Sequence, residues 1–133
     1  MPHVTSLKVR FYELDPYDHV NHAAYIQYFE VARIELLDSV GMDLTAMQSR
    51  GFQLVVTDLK IRYLAPAGSG DVLTIETEVS ELRRASTVWR QRMLRGDELM
   101  AEQEIVAAVT NLGGRPVRSP PELAAALRNF GPM

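Results

Sequence analysis

The chain has 133 residues, of which 47% are hydrophobic and 23% charged, values typical of a folded domain with an apolar core. Its formal net charge of −3 disfavours a general nucleic-acid binder, because such proteins usually present a basic surface. The absence of cysteine excludes disulfides, a thiol nucleophile and thiolate metal ligands.

The N-terminal segment MPHVTSLKVR lacks the apolar stretch of a signal peptide. No apolar run in the chain approaches the roughly 18 residues that a membrane span requires. No linker, low-complexity segment or internal repeat divides the sequence. We therefore expect a cytoplasmic protein of one domain, residues 1–133, that binds neither a membrane nor nucleic acid.

The beginning of the chain predicts a strand. Residues 5–12 alternate between apolar and polar side chains, with Leu7, Val9 and Phe11 on one face, as in a half-buried strand. An Asp-Pro pair follows and is typical of a break in regular structure.

The next segment predicts a long amphipathic helix. Asn21 is a favourable N-cap residue, and Gly41 stands where glycine commonly follows the end of a helix. Between them, apolar residues recur at spacings of three and four, which predicts one face packed against a core. Residues 43–50 predict one further short helical turn.

The rest of the chain predicts strands and a terminal helix. Strands occupy most of residues 52–112, with a bulge near Thr57 and Asp58, where the alternation changes phase. The closing PPELAAALRNF predicts a helix that begins at its prolines. No helical pattern separates the late strands, so parallel crossovers are excluded and the sheet must be mostly antiparallel. The order predicts an α+β fold in which one long helix packs on a five-stranded antiparallel sheet.

The loop before the long helix places two aspartates, two histidines and an asparagine close together. A helix leaves its first backbone N–H groups without partners, and its dipole favours negative charge there. Asn21 can satisfy only one of these N–H groups. The N-terminal end of the helix, here called the helix mouth, can therefore hold an oxyanion. Asp15 lies six residues earlier and can fold back towards it. A carboxylate facing a polarised carbonyl is suited to acyl hydrolysis, although an aspartate in such a loop is also typical of a turn.

One carboxylate is enough if the leaving group is a thiol. Thiols have a pKa of about 8.5, so they depart as thiolates with little help from an acid. An amine would need a second acid to protonate it, and the loop offers none that is obvious. The pattern therefore favours a thioester as the substrate.

The segment LDPYDHVNHAAYIQYFEVARIELL resembles the loop and helix of the hotdog-fold acyl-CoA thioesterases of the 4-hydroxybenzoyl-CoA thioesterase branch. The likeness continues through LKIRYLAPAGSGDVLTIETEV and LMAEQEIVAAVTN and covers nearly the whole chain. It implies a long helix wrapped by a five-stranded antiparallel sheet, a homodimer joined at the sheet edges, and in many cases a homotetramer. Where many relatives have glycine this chain has Asp18, which adds a second carboxylate near the predicted site.

The resemblance also implies the roles of the site residues. The catalytic carboxylate corresponds to Asp15, as general base or nucleophile, and the backbone N–H that polarises the thioester carbonyl corresponds to His22. No cofactor and no metal is implied, since coenzyme A is part of the substrate. His19 and His22 lie three residues apart near two aspartates, but no longer-range set of metal ligands appears elsewhere in the sequence, so we interpret them as loop and cap residues.

The remaining candidates are contacts to the substrate. We expect Tyr17, His19, Asn21 and Tyr25 to contact the substrate near the helix mouth, and Arg83 and Arg84 to contact the phosphates of coenzyme A. The sequence thus predicts an acyl-CoA thioesterase. Two alternatives stay open: a thioesterase acting on acyl carrier protein, and a hotdog dimer that binds acyl-CoA without hydrolysing it.

Overall fold

A computed structural model describes residues 1–131. Within them the chain forms one long helix, two short α-helices and five strands. In chain order these are β1 (His3–Lys8), α1 (His22–Ser39), α2 (Leu44–Ser49), β2 (Phe52–Tyr63), β3 (Val72–Leu82), β4 (Ser86–Arg95), β5 (Glu98–Asn111) and α3 (Pro121–Leu127). Two short 3₁₀ turns cover Phe11–Glu13 and Arg128–Phe130.

The strands form one antiparallel sheet in the order β1-β3-β4-β5-β2, so β1 and β2 are its edges. The helix α1 packs against one face of this sheet. This arrangement confirms the predicted α+β fold and the hotdog architecture that the resemblance implied. The predicted bulge is also confirmed, because the register between β2 and β5 shifts between Val56 and Asp58.

Alternation along the strands separates a buried face of the sheet from a charged one. On β4, Trp89, Gln91 and Met93 are buried, whereas Arg90 and Arg92 between them are exposed. The period of two is the one expected of a strand with a single packed face. The buried face meets α1, and the outer face presents paired charges to solvent.

The buried stripe of α1 holds the helix on the sheet. Phe29, Ala32 and Leu36 are spaced three and four residues apart and are fully buried. Removing a side chain such as Phe or Leu from water contributes about 1.5–3 kcal/mol. Truncating Phe29 to alanine would cost about 3–5 kcal/mol, because the packed core leaves a cavity behind.

A polar cluster lies between α1 and the sheet, where the apolar pattern gives no sign of it. Gln91 donates from Nε2 to the carbonyl of Phe29 at 2.8 Å and to Thr77 Oγ1 at 3.1 Å. Arg33 donates from Nη1 to Gln91 Oε1 at 2.9 Å. Burial lowers the pKa of Arg33 from its usual value. These bonds fasten the middle of the helix to the strand beneath it.

The first strand differs from the prediction at both ends. It covers His3–Lys8 and not residues 5–12, and Phe11 is 80% exposed and does not face the core. The reason is the turn Phe11–Glu13, in which the Glu13 carboxylate accepts the Arg10 N–H at 2.8 Å. A side chain that closes a turn by accepting a nearby backbone N–H overrides the structure that alternating apolar residues would predict.

The predicted helices form. Asn21 caps α1, and Gly41 adopts a φ of 73° just beyond its end, the left-handed conformation that glycine enters without strain. The short helix α2 is capped by Asp43, and α3 begins at Pro121. No helix within residues 1–131 is both long enough and apolar enough to cross a bilayer.

Candidate active site

The loop that precedes α1 folds around the carboxylate of Asp15. Its Oδ1 accepts the N–H of Tyr17 at 2.9 Å and that of His19 at 3.2 Å. The Asp15 N–H in turn donates to the carbonyl of His19 at 2.7 Å. Asp15 is therefore a turn former, but only through one oxygen. Its Oδ2 has no protein partner in residues 1–131 and is available to a ligand.

The turn passes through Asp18 in a left-handed conformation. Its φ is 58°, a value that Asp adopts more readily than most residues other than glycine and Asn. Its N–H donates to the carbonyl of Asp15 at 3.1 Å, which closes the turn. The backbone conformation that a glycine would supply is thus retained by an aspartate at this position.

The mouth of α1 has one amide left open. The Asn21 side chain accepts the N–H of Ala23 at 2.9 Å, and the Asn21 carbonyl accepts that of Ala24 at 2.9 Å. The N–H of His22 has no protein acceptor within residues 1–131. It lies at the positive end of the helix dipole, where a developing oxyanion is stabilised.

A segment after β2 is fastened to this helix mouth. The Ala67 carbonyl accepts the N–H of Val20 at 2.8 Å, and the Ala67 N–H donates to Tyr25 Oη at 2.8 Å. The same hydroxyl lies 3.4 Å from the carbonyl of Ala65. These contacts hold the acidic loop, the first turns of α1 and residues 64–67 as one unit.

Tyr63, the last residue of β2, also reaches the helix mouth. Its hydroxyl donates to the carbonyl of His22 at 2.8 Å, and its ring meets that of Tyr25 edge-on, with centroids 5.1 Å apart. Sequence reasoning did not single out Tyr63, because an aromatic residue at the end of a strand gives no sign of what it will contact.

Burial raises the pKa of the tyrosines around the helix mouth above the ordinary value of about 10. It raises the pKa of Tyr25, and the N–H of Ala67 only partly opposes this effect. Burial likewise raises the pKa of Tyr63, with a smaller contribution from Tyr25. For Tyr28, burial and its hydrogen bond to Glu13 raise the pKa well above the usual range. All three hydroxyls are therefore protonated at neutral pH and can donate.

These elements enclose an open cleft of about 350 Å³. Its lining is formed by Asp15, His19, Val20, His22, Tyr25, Tyr63, Leu64, Ala65 and Pro66. A larger depression of about 590 Å³ lies on the outer face of the sheet, between charged side chains such as Arg90 and Glu104. We place the site in the smaller cleft, because its lining includes both Asp15, which has an unshared carboxylate oxygen, and His22, which has an open amide.

The structure brings some of the predicted site residues together and separates others. Asp15, His19, His22 and Tyr25 line the cleft. Asn21 serves as the helix cap, and its side chain is already bonded. Tyr17 is 80% exposed and contributes its backbone N–H to the Asp15 turn, while its ring lies outside the cleft lining.

Within one chain, Arg83 and Arg84 lie far from the cleft. Met100 of β5 bonds to the Leu64 segment at the cleft, whereas Val109 of the same strand bonds to Ala85 beside the two arginines. The nine residue steps from Met100 to Val109 span about 30 Å of strand. Arg83 pairs with Glu81 at 3.0 Å. A contact from these arginines to a phosphate in this cleft therefore stays a prediction that requires a second subunit.

An ion pair that sequence reasoning missed stands nearer to the cleft. Arg95 bonds to Asp71 at 2.8 Å and to Glu98 at 2.7 Å. Asp71 also accepts the Gly68 N–H at 2.9 Å, so the pair fastens the turn after the Ala67 contact. Among residues 1–131, no three His, Asp or Glu side chains come close enough together to hold a metal ion.

Fold and cleft together define a hotdog domain with an acid-bearing loop at the mouth of its central helix. A family model described as the thioesterase-like superfamily matches residues 9–127, and the chain belongs to this superfamily. An acyl-CoA thioesterase, YbgC, of Haemophilus influenzae is 32% identical over 126 residues, which are 93% of each chain. An Arabidopsis thaliana acyl-acyl carrier protein thioesterase, ATL3, is 29% identical over 96% of this chain and 68% of its own. The crystal structure of a probable thioesterase from Bartonella henselae superposes with a TM-score of 0.86 at 30% identity, covering 90% of this chain and all of that one.

Proposed function

We propose that the protein is an acyl-CoA thioesterase, which hydrolyses a thioester to a free acid and coenzyme A. One observation carries this proposal: the unshared oxygen of Asp15 and the open N–H of His22 belong to residues that line the same cleft. The acyl-CoA thioesterase among the relatives supports coenzyme A as the carrier of the acyl group.

The proposed reaction needs only these two groups and water. The thioester oxygen accepts the His22 N–H, which together with the helix dipole draws electron density from the carbonyl carbon. Asp15 takes a proton from water as the water oxygen bonds to that carbon. The tetrahedral oxyanion then collapses, the C–S bond breaks, and the thiolate leaves and takes up a proton from water.

A second course uses the same atoms. Asp15 Oδ2 attacks the carbonyl carbon, the thiolate leaves, and the mixed anhydride that results is hydrolysed by water. In both courses the turn bonds to Oδ1 hold the carboxylate in place before the substrate arrives. Isotope incorporation separates them, because only the anhydride course can transfer ¹⁸O from water into Asp15 itself.

An acyl-carrier-protein thioesterase is the second candidate, since a relative that covers most of this chain has that activity. Carrier proteins are acidic, so recognition would need a basic surface and would weaken as salt is added. Paired acyl-CoA and acyl-carrier substrates with the same acyl group distinguish the two. A hotdog dimer that binds acyl-CoA without turnover is the third, and the unshared oxygen of Asp15 argues against it.

We also propose that the working unit is a homodimer joined through β2, or a homotetramer built from two such dimers. The free edge of β2 is twelve residues long, and an unpaired edge of this length is a template for another strand. Leu59 on β2 is 40% exposed, and Val31 and Ile34 on α1 are also exposed. Such apolar side chains are expected where a second subunit packs. A cytoplasmic location stays part of this proposal.

The test is a thiol-release assay across a panel of acyl-CoA esters. The wild type should release thiol from at least one ester. Asp15→Asn should keep the fold and lower kcat by about 10²–10⁴, the usual rate contribution of a positioned general base. Asp97→Asn is the matched control, because Asp97 is an exposed carboxylate of the β4–β5 turn. Near-normal turnover of Asp15→Asn would rule out Asp15 as the base, and binding without thiol release would favour the non-catalytic dimer.

A further inference from the structure

Tyr63 makes a contact that has no part in the reaction steps proposed above. It ends β2, lines the cleft, and donates a hydrogen bond from its hydroxyl to the His22 carbonyl at 2.8 Å. A helical carbonyl normally accepts only from the N–H four residues later, so the phenol is an additional partner. Tyr63 at the end of β2 thus holds His22 by its carbonyl, and His22 is also the residue whose N–H is open to the substrate.

We propose that Tyr63 is a positioning residue that fixes the first residue of α1, and with it the direction in which the His22 N–H points into the cleft. This inference rests on the proposed function, because it assigns Tyr63 to the same oxyanion donor. Tyr63 acts through His22 and need not touch the reacting carbon.

The other contacts of the helix mouth do not replace this one. The Asn21 side chain bonds to Ala23, and the Tyr25 hydroxyl bonds to residues after β2. Within residues 1–131, the Tyr63 hydroxyl is the side-chain group that bonds to the backbone of His22 itself. Without it, the first residue of the helix is free to fray, as terminal residues commonly do.

The ring of Tyr63 is itself held in place. It packs edge-on against Tyr25 at 5.1 Å with an interplanar angle of 84°, an arrangement that aromatic pairs favour. Tyr25 is almost fully buried and bonded to the Ala67 backbone, so it offers a fixed surface. Replacing the hydroxyl alone therefore leaves the ring where it is and removes only the bond to His22.

Loss of this bond should reduce kcat and leave KM nearly unchanged. An oxyanion donor works when it lies about 2.7–3.1 Å from the oxygen as charge develops, so its direction matters most in the transition state. Binding of the ground state depends on the whole acyl-CoA molecule and changes little. We expect Tyr63→Phe to lower kcat about 3- to 10-fold, the effect of losing one hydrogen bond, with KM within about 2-fold of wild type.

Two further variants provide the controls. Tyr12→Phe removes the hydroxyl of an exposed tyrosine outside the cleft and should leave turnover unchanged. Tyr28→Phe removes a hydroxyl that donates to Glu13 at 2.8 Å. It therefore controls for the loss of one tyrosine hydrogen bond near the loop that does not involve His22. If Tyr63→Phe acts only through stability, the two variants will share a lowered unfolding midpoint and an unchanged kcat per folded enzyme.

The decisive readout is the carbonyl of a bound ligand. A ketone analogue of acyl-CoA, with a methylene in place of sulfur, is not hydrolysed, and its infrared carbonyl stretch falls when a donor binds the oxygen. We expect a fall in the wild type and a stretch closer to that of the free analogue in Tyr63→Phe. The spectrum of the free analogue is subtracted to isolate the band of the bound ligand, so a smaller folded fraction lowers the intensity of that band and does not move it.

The outcomes separate this inference from the function on which it rests. If the wild type hydrolyses a thioester and responds to Asp15→Asn, but Tyr63→Phe matches it in kcat and carbonyl stretch, the role of Tyr63 is refuted and the function stands. If the wild type releases no thiol from any ester, both proposals fail together. A lower kcat with an unshifted stretch also overturns the inference, because the loss then arises elsewhere.

Discussion

The Nη1 atom of Arg33 lies 2.9 Å from the Oε1 atom of Gln91, inside the layer between α1 and the sheet. The same glutamine donates to the carbonyl of Phe29, one turn earlier in the helix. Helix and strand are therefore joined by a polar contact at a point where both are buried. Removing either partner therefore leaves the other buried without this hydrogen bond, and that loss determines how far the fold is destabilised.

Gln91→Leu should destabilise the fold by about 3–5 kcal/mol, because it leaves the buried charge of Arg33 without its acceptor. Urea unfolding followed by the fluorescence of Trp89, the one tryptophan of the chain, measures the loss. Arg92→Gln on the same strand breaks an exposed ion pair with Glu76 and should cost less than about 1 kcal/mol. A loss below that of Arg92→Gln would show that the buried contact is dispensable.

Asp18→Gly tests the second carboxylate of the loop. The backbone at Asp18 has a φ of 58°, so glycine relieves the conformational cost and should leave the unfolding midpoint unchanged or raise it. If Asp15 alone is the base, kcat should stay within about 3-fold of wild type, well short of the loss expected for a base. Asp18→Ala is the matched variant, since it removes the carboxylate but keeps the backbone strain. Its free energy of unfolding should be about 1 kcal/mol lower than that of Asp18→Gly. A large fall in kcat for both would assign catalysis to Asp18 as well.

Acid should weaken the turn held by Asp71. The Gly68 N–H and then the Arg95 guanidinium hold the pKa of this carboxyl below its usual value. A carboxyl with a lowered folded pKa stabilises the fold above its unfolded pKa of about 3.9, and this contribution is lost as pH falls through the folded pKa. Thermal unfolding between pH 5 and 2.5 should therefore show a smaller change in Tm for Asp71→Asn than for wild type. Equal slopes for the two proteins would contradict the assignment.

Leu59→Lys tests the proposed interface on β2. Leu59 is exposed on the edge strand, and a lysine there would place a charge in a contact between subunits. We expect the variant to be monomeric by light scattering and to lose most of its turnover, while the free monomer keeps its folded spectrum. Val72→Lys, an exposed valine on the inner strand β3, is the control and should keep the wild-type mass. A dimer of undiminished strength in Leu59→Lys would place the interface elsewhere.

Periodicity and capping predicted the elements because each rule depends on neighbours in sequence. Asn21 and Gly41 flank α1 as expected, and the change of phase near Thr57 marked the bulge. The same rules failed at Phe11, because the Glu13 side chain closes a turn that the alternation of apolar residues does not reveal. Local sequence patterns do not predict the structure where a side chain forms hydrogen bonds with nearby backbone groups.

The parts of the site predicted from sequence are those carried by one continuous segment. Asp15 and His22 are seven residues apart, so a loop and a helix start suffice to relate them. Tyr63 and Arg95 reach the same region through strand order and register, which no short-range pattern contains. The placement of Arg83 depends on the same long-range information.

The contacts that shape the cleft end mostly on main-chain atoms. Asp15 is held by two amides, Tyr25 by the backbone at Ala65 and Ala67, and Tyr63 by a carbonyl. Every amino acid except proline supplies the same N–H, and all supply the same carbonyl. Evolutionary drift can therefore exchange the side chains at less buried positions such as 19 and 65 and leave these anchor points in place. A lineage can therefore change the lining of this cleft while inheriting its backbone geometry unchanged.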